Sequence, residues 1–157
     1  MKTTDLKHRK SSPRIKGFDY KGILAYSITC CTQDNHNIFI AEEPFRLVFN
    51  LLLEDAEKEK FLVHTYCFMP DHLHLLLIGN DVESSLLGMM RRFKQRSDYH
   101  FHERFGTKLW QRSYYDHAVR KEDDIEVVAR YILENPVRKG LVEDFMRYPF
   151  SGSVVSF

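Results

Sequence analysis

The sequence predicts an α+β domain, a ferredoxin-like βαββαβ unit with an antiparallel sheet and one further helix at its C-terminal end. Three observations lead there. Apolar periodicity alternates between that of strands and that of helices in the order β-α-β-β-α-β-α. Only Pro70-Asp71 separates the second strand from the third, so those two must be antiparallel neighbours. No repeat, low-complexity tract or Pro/Gly linker divides the chain. At 157 residues with 43% hydrophobic content it is long enough to bury one core, so residues 1–157 read as a single domain.

Residues 1–22 are polar and basic and read as an arm. Ile23 to Cys31, rich in β-branched and aromatic side chains, is the first strand. The first helix runs to about Lys60. Pro44 suits its first turn, Glu42 and Glu43 suit the positive end of its dipole, and Phe45, Val48, Phe49 and Leu52 form its apolar stripe. Phe61 to Met69 is the second strand and His72 to Ile78 the third. A second helix from about Glu83 to Phe105 buries Leu86, Met89, Met90, Phe93 and Phe101, which leaves Arg91, Arg92, Lys94 and Arg96 for outer and flanking faces. Tyr114 to Arg120 is the fourth strand. Asp123 or Asp124 can cap a third helix that ends at Asn135-Pro136.

Composition excludes several classes. No apolar run is long enough for a membrane span, and the first residues lack the apolar segment of a signal peptide, so the expected location is the cytoplasm. Cys30, Cys31 and Cys67 fall in strand-like runs without Cys-x-x-Cys spacing and read as buried thiols. The formal net charge of +1 conceals segregation: residues 1–21 and 86–112 each carry seven basic and two acidic side chains, while acid gathers between Glu42 and Glu59. A charge run is most often a solvated face. Two basic segments interleaved with Tyr20, Phe93, Tyr99 and Trp110 point further, to a polyanion-binding face that includes Arg14, Lys16, Arg91, Arg92, Lys94, Arg96 and Arg112.

The segment most suggestive of chemistry is Met69-Pro70-Asp71-His72-Leu73-His74-Leu75-Leu76-Leu77. On a strand, His72 and His74 share one face and can converge on a metal ion, while Leu73, Leu75 and Leu77 pack the other way. His100 and His102 have the same spacing but fall on a helix, where such residues diverge. In the third helix Ile125, Val128, Ala129 and Ile132 must face the sheet. Tyr131 and Asn135 then lie at the boundary of that stripe, from which a phenol and an amide could lean toward the sheet. A tyrosine that merely packs its ring, and an asparagine that merely ends a helix, are the plainer readings. Tyr114 and Tyr115 are rival nucleophiles; being adjacent on a strand, at most one faces the histidines, and neither has a partner amide.

The histidine segment resembles the His-hydrophobic-His motif of single-tyrosine HUH transposases, and Tyr131-Ile132-Leu133-Glu134-Asn135-Pro136-Val137-Arg138-Lys139-Gly140-Leu141-Val142 resembles their catalytic-tyrosine segment. Trp110-Gln111-Arg112-Ser113-Tyr114-Tyr115-Asp116-His117 and Tyr26-Ser27-Ile28-Thr29 resemble the REP-associated branch of that group. The resemblance implies a metal-dependent single-stranded DNA transposase that cuts and rejoins beside hairpins. His72, His74 and Asn135 would hold Mg²⁺ or Mn²⁺, and Tyr131 would form a 5′-phosphotyrosine. Many shorter relatives have glutamine where this chain has Asn135, one methylene shorter, and the REP-associated branch accepts asparagine. The shorter relatives are dimers that exchange the tyrosine helix while REP-associated ones can act alone, so the resemblance implies a monomer or a homodimer. Two other readings compete: a non-catalytic hairpin-binding module, repressor or architectural, and a zinc-dependent hydrolase, for which a third strong ligand is not evident.

Overall fold

The structure, a computed structural model, describes residues 19–120 and 122–154. Its strands are β1 (Ala25–Cys31), β2 (Phe61–Met69), β3 (His72–Gly79), β4 (Tyr115–Val119) and β5 (Ser151–Ser153), in one sheet of order β4-β1-β3-β2-β5. Every neighbouring pair is antiparallel. Because β3 separates β1 from β2 and opposes both, β1 and β2 are parallel strands split by an inserted one, as the ferredoxin-like order requires.

Alternation along β3 sends its two faces to different cores. Leu73, Leu75 and Leu77 meet Tyr26, Ile28 and the buried stripes of α1 (Glu42–Lys58) and α2 (Leu86–Phe105) in the main core. On the opposite face Leu76, Ala25, Val119, Cys67 and Met69 pack with Ala129 and Ile132 of α3 (Glu122–Leu133). All five apolar residues expected to be buried in α2 are buried, and the three cysteines are free, buried thiols.

Several boundaries differ from the sequence expectation, each for a local reason. Strand β1 starts at Ala25 because Gly22, at φ +100°, turns the chain first and leaves Ile23 exposed. Helix α2 starts at Leu86, not Glu83, because Ser85 accepts a hydrogen bond from the Gly88 amide and caps it there. Helix α3 begins at Glu122, so Asp123 and Asp124 lie in its first turn instead of capping it. It ends at Leu133, and Asn135 opens a separate turn, α4 (Asn135–Arg138), in which Pro136 supplies no amide hydrogen to the preceding turn. The tail then folds back: Tyr148 donates to the Phe68 carbonyl at 2.5 Å, and β5 pairs with β2.

The charge segregation has a structural cause. Helices α1 and α2 lie side by side, and the acidic side of one meets the basic side of the other. Arg92 and Arg96 both bond Asp55 Oδ1, Arg96 reaches Glu54 at 3.0 Å, and Arg104 bonds Glu43. Asp55 is fully buried with two guanidinium partners.

Candidate active site

The Pro70-Asp71 turn that presents the histidines is pinned from outside. The Thr32 amide donates to the Asp71 carbonyl, the Thr32 hydroxyl lies within reach of the carbonyls of His36 and Asp71, and the Ile38 and Phe39 amides donate to the Pro70 carbonyl. Thr32 in turn bridges to Trp110, which is buried and donates to Ser97 at 2.8 Å. The histidines thus stand on a supported strand end, the condition for a precise site.

His72 and His74 sit on the α3 face of the sheet with ring centroids 4.6 Å apart and planes at 89°. His72 Nδ1 lies 2.7 Å from Asp71 Oδ1; a carboxylate only accepts, so Nδ1 carries a proton and Nε2 is the nitrogen left for another partner. His74 Nδ1 lies 3.0 Å from the Thr29 hydroxyl. Burial above all, then the neighbouring His72, Arg138 and Lys139, holds the His74 pKa well below its ordinary value. The ring is therefore neutral at pH 7, the form in which imidazole donates to a metal. A hydroxyl and a carboxylate orienting two imidazoles is the usual outer layer of a metal site. Among the described residues no third His, Cys, Asp or Glu joins them, so this donor set suits a cation that takes its remaining ligands from an amide, water or substrate.

One register row crosses all five strands on this face: Tyr115, Thr29, His74, Cys67 and Ser151. Tyr115 is accordingly the member of the Tyr114/Tyr115 pair that shares the histidine face, two strands from His74. Tyr114 packs against the main core, with the Lys94 ammonium 5.6 Å from its ring centroid.

Helix α3 packs on the same face through Ile125, Val128, Ala129 and Ile132, the stripe expected from sequence. Tyr131 sits at its edge, 40% exposed. Asn135 is buried at 7% exposure, and its amide makes no side-chain hydrogen bond among the described residues. It stands across a break from Tyr131, on α4, and not on one continuous helix. Arg138 stacks on the Tyr131 ring at 3.9 Å from its centroid and donates from Nη2 to the Tyr131 carbonyl at 2.6 Å.

The seven cationic side chains of the expected DNA face divide. Arg14 and Lys16 lie outside the described residues. Arg92 and Arg96 are held by Asp55, which makes them part of the α1–α2 contact rather than an outer face. Lys94 donates to the carbonyls of Gln111, Arg112 and Ser113 and closes the loop before β4. Arg91 and Arg112 are exposed. Thr29, Asp71 and Arg138 belong to the site but were not singled out by sequence; Asp71 beside His72 was the one local clue.

Three comparisons bear on this arrangement. The family model described as "Transposase IS200 like" matches residues 21–135. A protein of Haemophilus influenzae assigned as a REP-associated tyrosine transposase is 26% identical over 144 residues, covering 80% of this chain and 77% of its own. The REP-associated tyrosine transposase of Escherichia coli K12 is 23% identical over 108 residues, covering 68% of this chain and 63% of its own. Among solved structures, a REP-associated tyrosine transposase bound to a REP hairpin superposes with a TM-score of 0.74 at 18% identity, over 92% of this chain and 94% of that one. A protein of Deinococcus radiodurans R1 assigned as a transposase gives 0.54 at 22% identity, over 76% and 95%. With its sheet order, its paired histidines and a family match that spans both histidines and Tyr131, the chain belongs to the IS200-like transposase family.

Proposed function

We propose that this transposase acts on REP-like hairpins, cutting and rejoining the adjoining single strand through a covalent link between Tyr131 and a 5′ phosphate. The observation that carries the reading is the crossed pair His72–His74, each ring oriented through Nδ1, on the sheet face that α3 covers. Through Nε2 the two imidazoles would hold Mg²⁺ or Mn²⁺, with the Asn135 amide oxygen as a further ligand. Such an ion, when bound, neutralises phosphate charge and polarises the scissile bond.

Tyr131 supplies the nucleophile. Its phenol oxygen bonds to phosphorus as the bond from phosphorus to the 3′ oxygen breaks; the phenol loses its proton and the departing 3′ oxygen gains one. The phosphodiester energy is kept in the tyrosyl ester, so a second 3′ hydroxyl can reverse the step and join a new strand. Exposed Arg91 and Arg112 would follow the DNA backbone.

An oligonucleotide with a hairpin and a single-stranded flank, incubated with Mn²⁺, should give a protein band shifted by covalent DNA that retains only the downstream fragment. Tyr131→Phe should abolish the shifted band and keep hairpin binding. Loss of the band in Tyr115→Phe instead would transfer the role to that residue, and hairpin binding with no band under any divalent metal would mark a binding module.

A further inference from the structure

Arg138 is distinguished by what its guanidinium touches. Arg46, Arg92, Arg96 and Arg104 bond carboxylates directly, and Arg130 stands 3.9 Å from Glu134. Arg138 lies 4.0 Å from its carboxylate neighbour, Glu134, beyond hydrogen-bond reach, and its close contacts are both with Tyr131. The guanidinium carbon lies over the ring, 3.9 Å from its centroid, and Nη2 of the same group bonds the backbone carbonyl of the same residue at 2.6 Å. The break between α3 and α4 creates the opening for this contact. The Tyr131 carbonyl, whose helical partner would be the Asn135 amide beyond the end of α3, instead accepts from Arg138 of α4.

We propose that Arg138 is the positioning residue for Tyr131: a planar cation that fixes ring and backbone together, so that the phenol oxygen is presented to the phosphate held at the histidine pair. This rests on the reading of Tyr131 as nucleophile. Ring and carbonyl are gripped by one rigid group, which removes the side-chain rotation that in-line attack cannot tolerate. Only arginine does both. A lysine ammonium has no plane to stack and must choose between ring and carbonyl. Arg138 also lies beyond residues 21–135, the part of the chain that the family model covers.

The test is single-turnover adduct formation in Mn²⁺ on the hairpin oligonucleotide, comparing wild type, Arg138→Gln, Arg138→Lys and Tyr131→Phe, with hairpin affinity measured separately in EDTA. The expected result is a fall of about 10- to 100-fold in rate for Arg138→Gln, affinity within about two-fold of wild type, and partial recovery at best in Arg138→Lys. Guanidinium ion at a few tens of millimolar should restore part of the lost rate, whereas sodium at equal ionic strength should not. Should Arg138→Gln fail to fold, Arg138→Lys carries the same comparison. Three results overturn the proposal: an unchanged rate while the adduct still depends on Tyr131, a loss of affinity that matches the loss of rate, or no rescue by guanidinium. An adduct that persists in Tyr131→Phe removes the nucleophile assignment itself and is distinct from all three.

Discussion

At the scale of single residues, the site is governed by what holds the imidazoles. Asp71 fixes the proton of His72 on Nδ1, and Thr29 engages Nδ1 of His74. Removing both rings, His72→Ala with His74→Ala, should abolish Mn²⁺-dependent adduct formation while the thermal midpoint changes little, because the rings belong to neither apolar core. Asp71→Ala is the finer probe. It leaves both imidazoles and should raise the Mn²⁺ concentration for half-maximal adduct by about 10- to 100-fold, with the maximal rate recovered at saturating metal. An unchanged Mn²⁺ dependence would mean that the carboxylate only solvates the turn.

At the scale of elements, the α1–α2 contact and a DNA face make opposite claims on the same arginines, and two substitutions one residue apart separate them. Arg91 is exposed, so Arg91→Ala should flatten the logarithmic salt dependence of hairpin binding by about one unit and leave stability alone. Arg92→Ala should leave that slope unchanged and lower the urea midpoint, because it strips one of two cations from a fully buried carboxylate. Asp55→Ala should cost about 1–3 kcal/mol, less than a wholly buried pair because both arginines are about one-third exposed. The sequence made the three long helices and the first four strands legible, since each carries an apolar repeat several residues long. It also placed both histidines on one strand face and Tyr131 at a helix edge. Two things were not legible. The Ser151–Ser153 strand has no apolar alternation and exists because β2 offers it an edge. The basic run of α2 looked outward because charge on one helix says nothing of the acid that a second helix, some forty residues away, brings against it. Arg138 was hidden for a related reason: its contacts depend on the break at Glu134, which a helical wheel drawn through Asn135 does not contain.

For the whole molecule, a histidine whose pKa lies below the ordinary range, His64, makes the fold sensitive to acid. Burial lowers the pKa of His64, which is 7% exposed beside Thr65. The unfolded chain therefore binds this proton at a higher pH than the folded one. Stability is complete above the unfolded pKa of about 6.5 and is lost as pH falls below it toward the folded value. Urea midpoints of metal-free protein should decline from pH 7 to pH 5, and His64→Gln should flatten part of the decline. Equal slopes in the two proteins would show that the ring protonates freely in the native state. No helix among the described residues is long and apolar enough to cross a membrane.

The register row from Tyr115 through Thr29, His74 and Cys67 to Ser151 has a consequence for how native molecules can be counted. Side chains alternate along a strand, so a slip of β3 by one residue would drive both imidazoles into the main core and turn Leu73, Leu75 and Leu77 away from it. No molecule could be misthreaded in this way and still present the pair. On the proposed reaction, refolded or stored preparations can thus be graded by chemistry alone: the fraction of chains that become linked to DNA in a single turnover is a lower bound on error-free threading of the sheet, and its shortfall against the fraction that is merely helical is an upper bound on the molecules that closed in the wrong register.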